Sequence, residues 1–218
     1  MNMIEFFPKT KFLLENEEKG SVDNFHSFDT FDAFKRHITK RNNQKAADCF
    51  LFEEKIYQYA LEVSSLFRNE NYFFFEGNNI KNALSLLDKK DPDLLMDTVI
   101  KANPYLSVIH ANCNWDAYIT GNQTTEYSID NEYDKWNVIL CPGMIGTGAL
   151  KIKTFYSLSS ESIFTDILCV DESFSGNDLL FTLTDDNPGL SDEKKLNLYE
   201  KINELLRFYL CSHLLIIE

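Results

Sequence analysis

Lys101-Ala102-Asn103-Pro104-Tyr105-Leu106-Ser107-Val108-Ile109-His110-Ala111 is where the hydrophobic period of the chain changes. Upstream, Asp91 reads as a helix cap and Pro92 as the first helical residue, with Leu94, Leu95, Val99 and Ile100 following until Asn103-Pro104 stops the helix. Downstream the pattern alternates, as strands do. Short β-type runs are expected at Tyr105 to Ala111, Ala117 to Thr120, Thr125 to Ile129, Trp136 to Cys141, Ala149 to Tyr156, Ile163 to Val170 and Asp178 to Thr184. Their connections are too short for parallel crossovers, which favours an antiparallel meander.

Working towards the N-terminus, Tyr72 to Phe75 followed by Glu76-Gly77-Asn78-Asn79 suggests a short buried strand and a turn. Cys49 to Phe67 places Phe52, Ile56, Tyr59, Ala60, Val63, Leu66 and Phe67 on one face of an amphipathic helix. Phe25, Phe28, Phe31 and Phe34 form a stripe in a shorter helix that runs to about Ile38, with Ser27 or Asp29 as its cap. Lys35 to Lys45, with Arg36, His37, Lys40 and Arg41, is the one locally basic stretch and reads as a solvated helix end. At the other end, Ser191 and Asp192 open a helix with Leu198, Ile202, Leu205, Leu206 and Tyr209 inward, and Leu214 to Ile217 either extends it or adds a strand.

The predicted fold class is therefore α+β, with a helical first half packed on one face of a mainly antiparallel sheet and a closing C-terminal helix. One domain over residues 1–218 is expected, helix-rich over 1–104, strand-rich over 105–188 and helical again over 190–213. The length of 218 residues and a hydrophobic share of 44% support a full core without metal or disulfide staples.

Charge decides which partners are plausible. The 34 acidic and 21 basic residues leave a net charge of −13, a field that repels phosphate backbones and attracts basic proteins. Nucleic-acid binding is not expected. No apolar run approaches the roughly 18–20 residues that span a bilayer, and Met1 to Lys11 lacks a signal-peptide core. Cys49, Cys113, Cys141, Cys169 and Cys211 are widely scattered, as reduced thiols in a cytoplasmic protein would be.

The chemical motifs each fail a physical requirement. Gly143, Gly146 and Gly148 resemble a phosphate loop, but Ala149 to Thr154 alternates like a strand where a helix should open. His110, Cys113 and Asp116 supply a thiol, a base and a carboxylate, yet strand spacing turns His110 and Cys113 to opposite faces. Asp130, Glu132 and Asp134 begin like a calcium loop, but Lys135 replaces its turn glycine and Cys141 its closing glutamate. His26, His37, His110 and His213 show no paired zinc spacing. No cofactor and no metal is expected.

What is left is acidic connections flanked by aromatic residues. Asp130, Glu132, Tyr133, Asp134, Trp136, Asp171, Glu172, Asp185 and Asp186 form the expected partner-binding set, with Tyr127 and Phe174 beside them. The sequence thus points to an acidic cytoplasmic binding protein, of inhibitor or immunity type, that neutralises a basic protein such as a toxin or nuclease by electrostatic docking and occlusion. The alternative is a small cysteine-dependent hydrolase or transferase whose site forms only in three dimensions.

Overall fold

A computed structural model describes residues 3–17, 30–40, 43–65, 70–121, 127, 136–145, 149–159, 163–169 and 171–218. In chain order the elements begin with α1 (Pro8–Glu17), α2 (Phe31–Thr39), α3 (Gln44–Ser64), α4 (Glu70–Leu87) and α5 (Pro92–Asp97). The strands β1 (Ile100–Ala102) and β2 (Ser107–Ala111) follow, then α6 (Trp115–Ile119), β3 (Trp136–Ile145) and β4 (Ala149–Leu158). The chain closes with α7 (Ile163–Asp166), α8 (Gly176–Asp185), α9 (Asp192–Cys211) and β5 (Leu215–Ile217). The fold is α+β, with its antiparallel strands in two small sheets, β1-β5 and β2-β3-β4.

Several expected strands are helices instead. Tyr72 to Phe75 lies within α4, where Tyr72 and Glu76 are buried one turn apart and Phe74 between them is exposed. A continuous aromatic run carries no period of its own, and the helix runs straight through Gly77. Ala117 to Thr120 belongs to α6 and its C-cap, because Asn114 accepts from the Ala117 N–H and starts a helix there. Asp178 to Thr184 lies in α8, which opens with a capping box. The Ser175 side chain accepts from the Asp178 N–H, while the Asp178 carboxylate accepts from the Ser175 N–H at 2.7 Å. Ile163 to Val170 gives α7 and a 3-10 turn at Ile167–Cys169, with Val170 itself outside the described residues. Val99 lies beyond α5, and Ile100 starts β1. The expected strand at Thr125 to Ile129 falls outside the described residues except for Tyr127.

The chain divides into two compact units. The first comprises Met1–Val63, Ser107–Leu140 and Lys151–Ser162. Its phenylalanine core gathers on Phe7, whose ring lies 4.9 Å from Phe50 and 5.6 Å from Phe34. Ile4, Leu14, Ile38 and Ala46 complete that cluster. Phe31 and Phe34 of the predicted stripe are in α2, capped by Thr30; Phe25, Phe28 and the expected caps Ser27 and Asp29 lie outside the described residues. In the same unit β2 pairs antiparallel with β3, Ser107 opposite Leu140 and His110 opposite Asn137. Val138, Ile139 and Leu140 are buried in succession, so both faces of β3 are covered.

Helix α1 is capped from elsewhere in the chain. The position before Pro8 is Phe7, whose side chain has no acceptor, and the missing cap comes from Glu53 on α3. Its Oε1 accepts from the Lys9 N–H at 2.9 Å, and its Oε2 accepts from both the N–H and the hydroxyl of Thr10 at 2.8 Å. Glu53 is only 5% exposed.

The second unit comprises Ser64–Leu106, Cys141–Leu150 and Ile163–Glu218. β1 and β5 pair antiparallel with Ile100 opposite Ile217, and Phe174 bridges to the other side of Ile100. Leu95, Met96, Leu206, Leu210 and Leu215 are buried around this pair. The start of α8 presses so closely on α5 and α9 that a Cβ at Gly176 would stand 2.6 Å from Met96 Sδ and 2.9 Å from Leu206 Cδ1. α9 ends in a Schellman turn, with Leu214 N–H on the Tyr209 carbonyl at 2.9 Å and His213 left-handed at φ 62°.

Candidate functional site

Among the sequence-predicted contact residues, Asp130, Glu132, Tyr133 and Asp134 lie outside the described residues. Trp136 opens β3, half-buried, with its ring edge-on to Tyr156 at 6.3 Å. Asp171 and Glu172 are exposed ahead of Phe174, and Asp185 and Asp186 are exposed at the end and C-cap of α8. Tyr127 turns inward, donating its hydroxyl to Asp48 at 2.6 Å.

His110, Cys113 and Asp116 do not form a catalytic set. The His110 Nδ1 is bonded to Asn137 Oδ1 at 2.9 Å, and Asp116 is held by Lys9 and the Thr154 hydroxyl, each at 3.1 Å. Cys113 is fully buried. Burial, and then the Glu53 carboxylate, push the Cys49 thiol far above its ordinary range. Burial and Asp166 raise Cys169 as well. A nucleophilic thiolate needs the opposite shift. The glycine segment does not open a helix: β3 reaches Ile145, β4 begins at Ala149, and 146–148 lie outside the described residues. Among the described residues no three His, Cys, Asp or Glu side chains are grouped to hold a metal ion. No described helix is long and apolar enough to cross a membrane.

The acidic surface that does assemble lies in the second unit, which carries 17 of the 34 acidic residues against 9 of the 21 basic ones. Pro92 starts α5 and Asp91 caps it, accepting from the Asp93 and Leu94 N–H groups at 3.1 Å. A cap, a first-turn acid and a last-turn acid therefore put Asp91, Asp93 and Asp97 on one short helix, all exposed. α9 packs alongside with a stripe at helical spacing, Asp192, Leu196, Tyr199 and Asn203. Asn203 Nδ2 donates to the Pro92 carbonyl at 3.1 Å, and the Tyr199 hydroxyl donates to Asp93 at 2.6 Å. Asn177 at the start of α8 donates to Asp97 at 2.7 Å.

The hydrogen bond to Asp93, followed by burial and then the charges of Asp93, Asp91 and Asp97, raises the Tyr199 phenol to about 12. Among the described residues none of the three is ion-paired, and Leu196, one turn before Tyr199 on α9, is 60% exposed. Such a surface offers fixed, solvated negative charge around an aromatic ring with an apolar neighbour, which suits a lysine or arginine side chain. The sequence showed Asp91 and Pro92 only as a cap. It gave no sign that Tyr199, 106 residues from Asp93, would join them.

No family model, no curated protein and no solved structure matches this chain.

Proposed function

We propose that the protein is an acidic, cytoplasmic, non-catalytic binding protein that captures and neutralises a basic protein partner, in the manner of an inhibitor or immunity protein. The observation that carries this reading is the row of exposed acids Asp91, Asp93 and Asp97 on α5, with Asp93 hydrogen-bonded to Tyr199 of α9 and Leu196 exposed one turn before that tyrosine. The net charge of −13 steers a basic partner towards the chain, and the exposed acids at Asp171, Glu172, Asp185 and Asp186 add to the field of the same unit. Docking then covers Leu196 and the ring of Tyr199, while the carboxylates select cationic side chains. The partner is occluded and no bond is made or broken. The raised thiols of Cys49 and Cys169 argue against a cysteine nucleophile at either position.

An arginine-rich decapeptide followed by fluorescence anisotropy tests it. Asp91→Asn, Asp93→Asn and Asp97→Asn together keep the cap and the hydrogen-bond acceptors while removing the charge. At about 0.5 kcal/mol for each exposed contact, the triple variant should bind about tenfold more weakly at low salt. Equal binding by the two chains contradicts this placement.

A further inference from the structure

The first unit carries a groove of its own. One wall is the outer stripe of α3, where Asp48, Leu51, Lys55, Gln58 and Glu62 recur at helical spacing over about 21 Å. The other wall is β2 from Ser107 to Ala111, about 17 Å long. Two recesses lie end to end between them. One of ≈ 140 Å³ is bordered by Asp48, His110 and Asn112, the other of ≈ 450 Å³ by Tyr59, Glu62 and Ser107, and both share Leu51 and Lys55.

β2 is the terminal strand in the order β2-β3-β4. One edge is paired to β3 through Ser107–Ala111, and among the described residues no strand pairs with the other. The carbonyl of His110 is met by the α3 wall, since the Lys55 ammonium donates to it at 3.3 Å. A backbone acceptor on an open edge, occupied by one exposed and flexible side chain, is the position that a peptide N–H takes when a strand is added.

The groove's chemistry also defines the segment it would take. Its side chains carry the carboxylates of Asp48, Glu54 and Glu62 and the ammonium of Lys55; Glu54 is paired to Lys35 at 2.7 Å, and Asp48, which accepts from Gln44, Asn112 and the Tyr127 hydroxyl, keeps its negative charge at the groove's end. Between them Leu51 is 39% exposed, and Phe52, Tyr59 and Ala111 form an apolar floor. Alternating side chains of an added strand would meet apolar floor and acidic rim in turn.

We propose that the open edge of β2 and the outer face of α3 form a docking groove for an extended, basic segment of a partner protein, added as a further strand beside β2. Its residues all belong to the first unit, and it shares none of them with the acids around Tyr199.

The test uses a fluorescein-labelled nonapeptide of alternating lysine and valine, with two twins N-methylated at alternate backbone amides, one in each register. Anisotropy is measured on the parent chain, on Leu51→Lys, and on the variant neutralised at Asp91, Asp93 and Asp97. Methylation in the register that faces β2 should weaken binding about tenfold, and methylation in the other should change it less than about twofold. Leu51→Lys, at an exposed helical position, should also weaken binding about tenfold. The neutralised variant should retain this methylation pattern. Absence of binding at about 1 mM peptide overturns the proposal. So does equal binding by both methylated twins, which means charge without strand pairing. An equally tight glutamate–valine peptide overturns the basic preference, and peptide-independent dimerisation through β2 in sedimentation overturns the assigned occupant.

Discussion

Replacing Glu53 should uncap a helix that the sequence around it cannot cap. Glu53→Ala removes the acceptor of two α1 N–H groups and of the Thr10 hydroxyl, in a position where Thr10 is fully buried. An orphaned buried donor costs about 1–3 kcal/mol, so the loss should be about 3–5 kcal/mol once the vacated volume is included. Glu53→Gln keeps one acceptor and turns an amide N–H₂ towards the Thr10 N–H, which leaves one donor unsatisfied and costs about 2 kcal/mol. The pH dependence separates this cap from an ordinary ion pair. Burial raises the Glu53 carboxyl above its ordinary 4.5, against the lowering by the Thr10 and Lys9 hydrogen bonds. A folded-state pKa above the unfolded one means that the folded chain binds the proton more tightly. The contribution of this group is then largest below the unfolded pKa and is lost as pH rises through the folded value. The stability difference between the parent and Glu53→Gln should therefore narrow between about pH 4 and the raised folded pKa, then level off. Urea unfolding of parent, Gln and Ala chains from about pH 4 to pH 8 measures this. A loss below about 0.5 kcal/mol for Glu53→Ala would refute the capping role. A difference that widens with rising pH would show that the helix N–H groups outweigh burial.

The remaining predictions concern the second unit. Glycine-to-alanine substitution should have opposite signs at two positions: Gly77→Ala, inside α4 with open space at its Cβ, should stabilise by about 0.5–1 kcal/mol, whereas Gly176→Ala, against Met96 and Leu206, should destabilise by about 1–3 kcal/mol. Thermal unfolding of both reads the sign directly, and two losses would contradict the open placement of Gly77. Asp93→Ala removes the hydrogen bond that is the first cause of the Tyr199 shift, so its phenol should titrate below about 12, towards its ordinary 10.0. Isotope-labelled tyrosine NMR follows that one ring, and an unchanged midpoint would count against the Tyr199–Asp93 bond.

Local signals carried into the structure where they were self-contained. Ser191 caps α9 and accepts from the Lys194 N–H, and Asp91-Pro92 starts α5, because a cap is decided within three or four residues. Tyr72 to Phe75 misled because aromatic residues are at home in strands and in helices, and only its packing put Tyr72 in and Phe74 out. Asp178 to Thr184 was expected as a strand from its apolar run, although Ser175 and Asp178 stand at capping-box spacing ahead of it. The cap on α1 was not legible at all, since Glu53 lies 43 residues from Thr10. For the same reason charge could be read as a total while its focus could not. Asp91, Asp93 and Asp97 become a surface around Tyr199 only when α5 packs on α9.

The most direct test of the central reading is NMR mapping of an arginine-rich decapeptide onto the labelled chain at about 0.01 M and 0.15 M salt, where the Debye length falls from about 30 to 8 Å. The account predicts that the shifts of the second unit concentrate at Asp91–Asp97, Leu196 and Tyr199, fade at the higher salt and vanish when the three aspartates are neutralised, while any shifts along the Leu51–Lys55 groove of the first unit are unaffected by that neutralisation. Shifts spread evenly over the acidic residues of the second unit, or shifts at Tyr199 unchanged by that neutralisation, would contradict it.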